Sequence, residues 1–224
     1  MKKTLERIIN ALVTLSIPII ISVLIILVLV SPLFLNLEYS RPGFPEDIYG
    51  FSTEERLNFG NQTRKYLIGN STLEDLQALE FDNGDPIYIE RELSHLEDVK
   101  IVLQGVLRVF YGAGAVFFLG GYFARAGDSQ DSFIEAISRG GKLTAGLLVI
   151  ILGLTLISFQ ALFTNFHQIF FEGDSWLFFF TDTLIRLFPV RLWQDVFLVF
   201  GILTLGGGIL AGWVLPARSK KSRE

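Results

Sequence analysis

The stretch IINALVTLSIPIIISVLIILVLVSPLFLNL, residues 8–37, decides the class of fold. It carries no charged side chain, and it is longer than the roughly 20 apolar residues that a helix needs to cross a bilayer. A secretory signal has an apolar core of only about 7 to 15 residues followed by a small-residue cleavage site. We therefore interpret this stretch as an uncleaved membrane anchor.

The composition of the whole chain agrees with a membrane protein. Of its 224 residues, 50% are hydrophobic and 19% are charged, whereas soluble domains carry about 25% charge. The mean hydropathy is +0.47. The chain has no Cys, which excludes a thiol nucleophile and a Cys-ligated zinc site. Its net charge of −4 argues against nucleic acid as a partner.

Three further apolar stretches complete the predicted architecture, an all-α membrane protein within a single integral membrane domain, residues 1–224. The predicted transmembrane spans of this four-transmembrane-helix bundle are about 10–36, 99–124, 143–163 and 192–215. Residues 38–98, with fourteen acidic and five basic side chains, are expected to form a small extracytoplasmic loop domain. Residues 164–191 are expected to form an extracytoplasmic interfacial segment, with an interfacial aromatic helix at Trp176–Phe188.

The distribution of Lys and Arg predicts the orientation. Ten of them lie in the N-terminus, the 125–142 connector and the C-terminal tail, which places these segments and both termini in the cytoplasm. Inside the spans, we expect Arg108 either to reach outward or to pair with Asp195. Gly208 and Gly212 form a GxxxG pair, which predicts close helix packing.

The chain has only two histidines, and the first lies in a charged helix start before the second span. Glu92 lies one turn before His95 and Asp98 one turn after it, and Arg91 shares the same helix face. Either carboxylate is expected to orient the imidazole and raise its basicity. The alternative is a solvated, charge-rich helix start at the membrane surface.

The second histidine, His167, follows the third span. Phe163, Phe166 and Phe170 have i, i+3, i+7 spacing and extend one apolar face of that helix. The side chains expected to line a site for acyl chains are Phe166, Phe170, Phe171 and Trp176. The alternative is an interfacial histidine within an aromatic belt.

The functional interpretation is that the two imidazoles converge, at most about 8 Å apart, and form a catalytic site at the outer membrane boundary. A metal site built from His95, Glu92 and His167 is an alternative. Because no H-E-x-x-H motif is present, we expect no metal. No G-x-S-x-G motif is present either, so the expected chemistry is proton transfer and polarisation around a nucleophile that the substrate supplies.

Several motifs together suggest a family. They are Arg-Glu-x-Ser-His-x-x-Asp-Val at 91–99, Phe-His-x-x-Phe-Phe at 166–171, Trp176, and Leu-Ile-x-Leu-Phe-Pro at 184–189. In this combination the chain resembles the lipoprotein intramolecular transacylase (Lit)-like family of four-span bacterial integral membrane proteins. The resemblance covers nearly the whole chain, and it implies that His95 and His167 are the catalytic residues.

The resemblance also implies a reaction in the bacterial plasma membrane, on its extracytoplasmic side. Such enzymes move the sn-2 acyl chain of a diacylglyceryl-Cys lipoprotein to the amine of the same Cys, which gives a lyso-form lipoprotein. The partners are then the lipoprotein substrate and membrane lipids, and no cofactor is implied. On this basis His95 is expected to act as the base, with His167 or a backbone N–H polarising the ester.

A second function remains open from the residues alone. A non-enzymatic four-span assembly or sensor protein could use the acidic extracytoplasmic loop as a binding module. That interpretation predicts that His95 and His167 lie far apart, whereas the enzymatic one predicts that they meet.

Overall fold

The computed structural model describes residues 3–216, without the side chains of residues 154–156. Within these residues the secondary structure is helical, apart from one isolated β-bridge between Glu80 and Pro86. The helices are α1 (Lys3–Leu29), α2 (Pro32–Ser40), α3 (Thr53–Leu67), α4 (Leu73–Gln77), α5 (Glu90–Ala126), α6 (Gln130–Ile157), α7 (Phe159–Phe170), α8 (Thr183–Leu187) and α9 (Val190–Ile209), which continues as a π-helical turn over Leu210–Val214. In the described part of the chain, the helical stretches long and apolar enough to cross a membrane are Lys3–Leu29, Glu90–Ala126, Gln130–Gly153 and Val190–Val214.

The chain divides into two compact units. The first contains the described residues up to Ile26, then Val106–Ile157, and the described residues from Leu198 onward. The second contains Leu27–Gly105 and Ser158–Phe197. Both histidines belong to the second unit.

In the first unit, glycines allow α6 and the end of α9 to approach closely. A Cβ atom at Gly141 would lie 2.7 Å from the carbonyl oxygen of Gly208 and would also overlap the backbone of Gly212. Since these backbones touch, no side chain fits between the two helices. The close helix packing predicted from Gly208 and Gly212 is confirmed.

In the second unit, the acidic loop shares a hydrophobic core with the start of α5 and with α8. The buried members of this core are Phe51, Tyr66, Leu76, Ile87, Tyr88, Leu93, Leu96, Leu184 and Leu187. Helices α3 and α4 begin with capping boxes, Ser52 with Glu55 and Thr72 with Asp75, which satisfy backbone N–H groups at each helix start. The core therefore fixes the first turns of α5, which carry His95, against α8.

The end of the third predicted span, 143–163, and the segment after it differ from the expectation. Helix α6 ends at Ile157, and the backbone of Ser158 is extended. The side-chain hydroxyl of Ser158 accepts a hydrogen bond from the N–H of Ala161, so Ser158 caps a separate helix, α7. The helix expected at Trp176–Phe188 is wrong, because only the five residues of α8 are helical in that range. The aromatic helix of this region is α7.

Of the two alternatives expected for Arg108, the pairing with Asp195 is wrong. Its carboxylate accepts hydrogen bonds from Arg41 and from Arg191 rather than from Arg108. Arg191 lies one helical turn before Asp195 on α9, and Arg41 directly follows α2. Sequence patterns could not predict Arg41 as a partner of Asp195, because 154 positions separate the two residues.

Candidate active site

Helix α5 carries His95 beyond the part of the helix that a bilayer would cover. The helix has 37 residues. At 1.5 Å per residue it is about 55 Å long, whereas the hydrocarbon core of a bilayer is about 30 Å thick. Its first nine residues, 90–98, contain five charged side chains, so this end lies outside the apolar layer. Within this end His95 is buried, with 8% of its surface exposed.

His167 is held in one orientation by its own helix. Its Nδ1 atom lies 2.8 Å from the carbonyl oxygen of Phe163, one turn earlier on α7. A carbonyl oxygen can only accept a hydrogen bond, so Nδ1 carries the proton of the neutral ring. Its Nε2 atom then presents a lone pair and can accept a proton.

The two imidazoles meet in the second unit. Their ring centroids are 6.3 Å apart, and their planes are inclined by 20°. This separation lies within the limit of about 8 Å set from the sequence. The arrangement is the one that the enzymatic interpretation predicts, and the rings are not far apart as the assembly or sensor interpretation requires.

Aromatic side chains surround both rings. Phe171 packs edge-on against His95 with 4.8 Å between centroids and lies 5.5 Å from His167. Trp176 and Phe166 pack against His167 at 4.9 Å and 5.5 Å. Three of the four predicted lining residues therefore contact an imidazole. The fourth, Phe170, packs against Phe166 and is 44% exposed.

One aromatic residue of the site was not predicted. Phe178 packs edge-on against His95, with 5.3 Å between the ring centroids. It comes from the turn before α8, and it is the first of three consecutive phenylalanines, 178–180. No periodicity distinguishes one member of such a run, so the sequence gives no signal for it.

Burial makes both imidazoles weak bases. Burial, together with the neighbouring His167, lowers the pKa of His95 to about 4. Burial also lowers the pKa of His167, although its hydrogen bond to Phe163 acts in the opposite direction. Because both pKa values lie below the ordinary value, both rings are neutral at pH 7.

Glu92 does not orient the imidazole of His95, which corrects the expectation. Its Oε1 atom accepts a hydrogen bond from the N–H of Leu184 at 2.7 Å, and its Oε2 atom accepts one from the N–H of Ile89 at 2.9 Å. Both oxygens are thus occupied by backbone donors. Burial raises the pKa of Glu92, which these two hydrogen bonds oppose.

Asp98 does not take this role either. In the described part of the chain, the buried Nδ1 atom of His95 has no hydrogen-bond partner, so neither predicted carboxylate holds it. An unpaired buried nitrogen is costly in a folded protein unless a ligand completes it. The same residues contain no group of three His, Asp or Glu side chains arranged to hold a metal ion.

Arg91 fixes the turn that carries Phe178. Its guanidinium donates a hydrogen bond to Asp182 at 2.6 Å and lies over the rings of Phe178 and Phe179 at 5.2 Å and 5.4 Å. Asp182 also accepts a hydrogen bond from the N–H of Phe179. Arg91 thus acts on the site through this turn.

Known proteins are similar to this chain in sequence. A family model described as "Lipoprotein intramolecular transacylase Lit" matches residues 9–193. A protein of Aquifex aeolicus (strain VF5), described as uncharacterized, is 35% identical over 188 residues, which are 80% of this chain and 83% of that protein.

Solved structures share the fold. The structure of the membrane integral lipoprotein intramolecular transacylase Lit from Bacillus cereus is 22% identical, with a TM-score of 0.80 over 99% of each chain. Two variants of that protein, in which a histidine is replaced by arginine or by alanine, give TM-scores of 0.59 and 0.60 at 19% and 18% identity. They cover 100% and 99% of this chain, and this chain covers 96% and 97% of theirs. The predicted all-helical fold with four spans is confirmed, and the chain is a multi-pass integral membrane protein.

Proposed function

Since this chain belongs to the lipoprotein intramolecular transacylase Lit family, we propose that it moves the sn-2 acyl chain of a diacylglyceryl-Cys lipoprotein to the N-terminal amine of the same Cys. The family resemblance expected from the motifs is confirmed. The main support for this activity is the pair of neutral imidazoles, whose ring centroids are 6.3 Å apart and which aromatic side chains surround. An apolar site with two neutral proton-transfer groups fits a lipid ester that an amine attacks.

The hydrogen bond at His167 supports a division of roles different from the one expected. Because Nδ1 of His167 is committed to Phe163, its Nε2 atom is suited to accept a proton and not to donate one. We therefore assign the base to His167. His95, which is also neutral, supplies the N–H that stabilises the carbonyl oxygen as it becomes negative.

The reaction then balances without a cofactor. The substrate amine attacks the carbonyl carbon of the sn-2 ester, and an N–C bond forms as Nε2 of His167 takes the amine proton. The C–O bond to glycerol breaks, and the same proton passes to the glyceryl oxygen. Because one substrate carries both reacting groups, holding them together lowers the entropic part of the barrier.

The direction of the protein in the membrane is part of the proposal. The Lys and Arg residues concentrated in both termini and in the 125–142 connector favour a cytoplasmic location for these segments in a bacterial plasma membrane. The acidic 38–98 domain and both histidines then lie on the extracytoplasmic side.

The test is tandem mass spectrometry of a reporter lipoprotein. The chain is expressed in a bacterium that does not N-acylate diacylglyceryl lipoproteins, and the N-terminal lipopeptide is isolated. Substrate and product are isomers of equal mass, so the fragments must distinguish them. We expect fragments with an acyl group on the Cys amine and one on glycerol. A diacylglyceryl peptide that persists, although the protein is present in the membrane, contradicts the transacylase and favours a binding function for the acidic loop.

The pH dependence of the initial rate in detergent is expected to show that the imidazoles stay neutral in mild acid. The rate falls about tenfold per pH unit below the pKa of the substrate amine, near 8, and an essential neutral imidazole adds a second tenfold per unit below its own pKa. The pKa of His95 is lowered to about 4 and that of His167 is lowered as well. The slope of log rate against pH should therefore remain near one at and below about pH 6.5, where an imidazole of ordinary pKa would already have steepened it. A slope of two that begins near the ordinary histidine pKa contradicts the buried, neutral site.

A further inference from the structure

Two arginine side chains meet at one buried carboxylate, where α2 ends and α9 begins. Nη2 of Arg41 and Nε of Arg191 both donate hydrogen bonds to Oδ2 of Asp195, the second at 2.8 Å. Asp195 is buried, whereas the side chains of Arg41 and Arg191 are 39% and 51% exposed. Two guanidinium groups are thus held side by side and open to the surroundings.

A second buried carboxylate, that of Glu38, lies beside the guanidinium of Arg41. Glu38 lies 3.6 Å from Nη2 of Arg41, and burial raises the pKa of Glu38 more than Arg41 lowers it. The N-terminus of α9, a helix of 20 residues, adds partial positive charge beside Arg191.

Most donors of the two arginines are unused. A guanidinium has five N–H groups, and in residues 3–216 those of Arg41 and Arg191 find hydrogen-bond acceptors only on Asp195. The framework beneath them is firm, because Leu35 and Tyr39 of α2 pack against Leu192 of α9 in a small core. A preorganised pair of forked donors is suited to bind a phosphate group.

The surroundings of the cluster indicate a lipid. Trp193, in the first turn of α9, is partly exposed and donates a hydrogen bond from Nε1 to the carbonyl oxygen of Phe188, a setting typical of the headgroup level of a bilayer. On α2, Leu33 and Leu37 are exposed and precede Arg41 at intervals of four residues. An apolar stripe on one helix face therefore ends at the arginines.

We propose that Arg41 and Arg191 bind the phosphate of an anionic phospholipid headgroup, with an acyl chain of that lipid along Leu33 and Leu37. A diacylglyceryl group has no phosphate to place between these two arginines. The proposal is therefore independent of the transacylase activity. Asp195 holds the two guanidinium groups in position, and the ligand takes their exposed N–H groups.

Native mass spectrometry of the full chain in mild detergent tests the site. Phosphatidylglycerol and a diacylglycerol with the same acyl chains are added in parallel. We expect phosphatidylglycerol to bind about tenfold more tightly, as charge-assisted hydrogen bonds to phosphate require. The double variant Arg41→Gln/Arg191→Gln should bind both lipids equally. Equal binding by the unchanged protein overturns the proposal.

Two further variants and a competition with inorganic phosphate distinguish lipid binding from misfolding and from binding of free phosphate. Arg64→Gln removes an arginine of α3 that contacts Asn61 and should leave lipid binding unchanged. If the double variant does not fold, Arg191→Gln alone keeps the pair between Arg41 and Asp195 and should lower the preference for phosphatidylglycerol several-fold. Inorganic phosphate should not displace the lipid. Full displacement by inorganic phosphate overturns the lipid assignment, because the headgroup chemistry alone would then suffice.

Discussion

Replacing His95 with alanine is expected to lower N-acylation of the reporter lipoprotein by at least about 100-fold. One oxyanion donor is worth about 10²–10³ in rate, and a general base about 10²–10⁴, so the loss is large in either role. The measurement is the fraction of N-acylated lipopeptide at equal amounts of enzyme in the membrane. Retention of full activity would remove His95 from the catalytic machinery.

Two companion variants separate chemistry from packing. Alanine leaves a void beside Phe171 and Phe178, the rings that pack on His95. His95→Phe keeps an aromatic ring in that space without a nitrogen, and it should be as inactive as the alanine variant. Ser94→Ala changes the neighbouring, exposed residue, which does not face the same way as His95, and should retain activity. An active phenylalanine variant would mean that the ring is needed only for its shape.

The spans could be predicted because the bilayer imposes a simple rule on sequence. A helix must present about 20 apolar residues to cross it, and four stretches do so. Where one helix stops is a local matter that hydropathy does not register. The hydroxyl of Ser158 caps a new helix within a continuous apolar stretch. The side chain of Asp182 accepts hydrogen bonds from Arg91 and from the N–H of Phe179, which favours a turn over the helix predicted there.

The site was predictable in its residues and only partly in its contacts. Two histidines in a chain of 224 residues are few enough to single out, and the motifs around them resemble one family. Helical spacing also placed Glu92 near His95, but spacing could not reveal that the N–H of Leu184, 92 positions away, would take that carboxylate. Contacts between distant segments depend on tertiary packing, which no local pattern encodes.

Replacing Glu92 with alanine is expected to have the second large effect, by releasing α8 from α5. Glu92 is 1% exposed, and the change would leave two backbone donors, the N–H groups of Leu184 and Ile89, without acceptors. Each unsatisfied buried donor costs about 1–3 kcal/mol. We expect a lower thermal unfolding midpoint and a loss of activity, since α8 follows the turn that places Phe178 on His95.

The matched control is Glu97→Ala, on the same helix. Glu97 is exposed, so its removal should change neither the unfolding midpoint nor the rate. Glu92→Gln retains one oxygen acceptor and should fall between the alanine variant and the unchanged protein. An unfolding midpoint for Glu92→Ala equal to that of the control would mean that the two hydrogen bonds do not stabilise the protein.

The pH profile decides whether Glu92 acts through position or through charge. A carboxylate that interacted with the imidazoles would raise their pKa values, and Glu92→Gln would then move the acid limb of the rate to lower pH. The pKa of His95 is set by burial and by His167, and that of His167 by burial and its hydrogen bond to Phe163. We therefore expect Glu92→Gln to lower kcat, while the acid limb of the pH–rate profile stays at the same pH. An acid limb that moves to another pH would assign Glu92 an electrostatic role. Its hydrogen bonds to the N–H groups of Leu184 and Ile89 argue against that role, because both carboxylate oxygens already accept backbone hydrogen bonds.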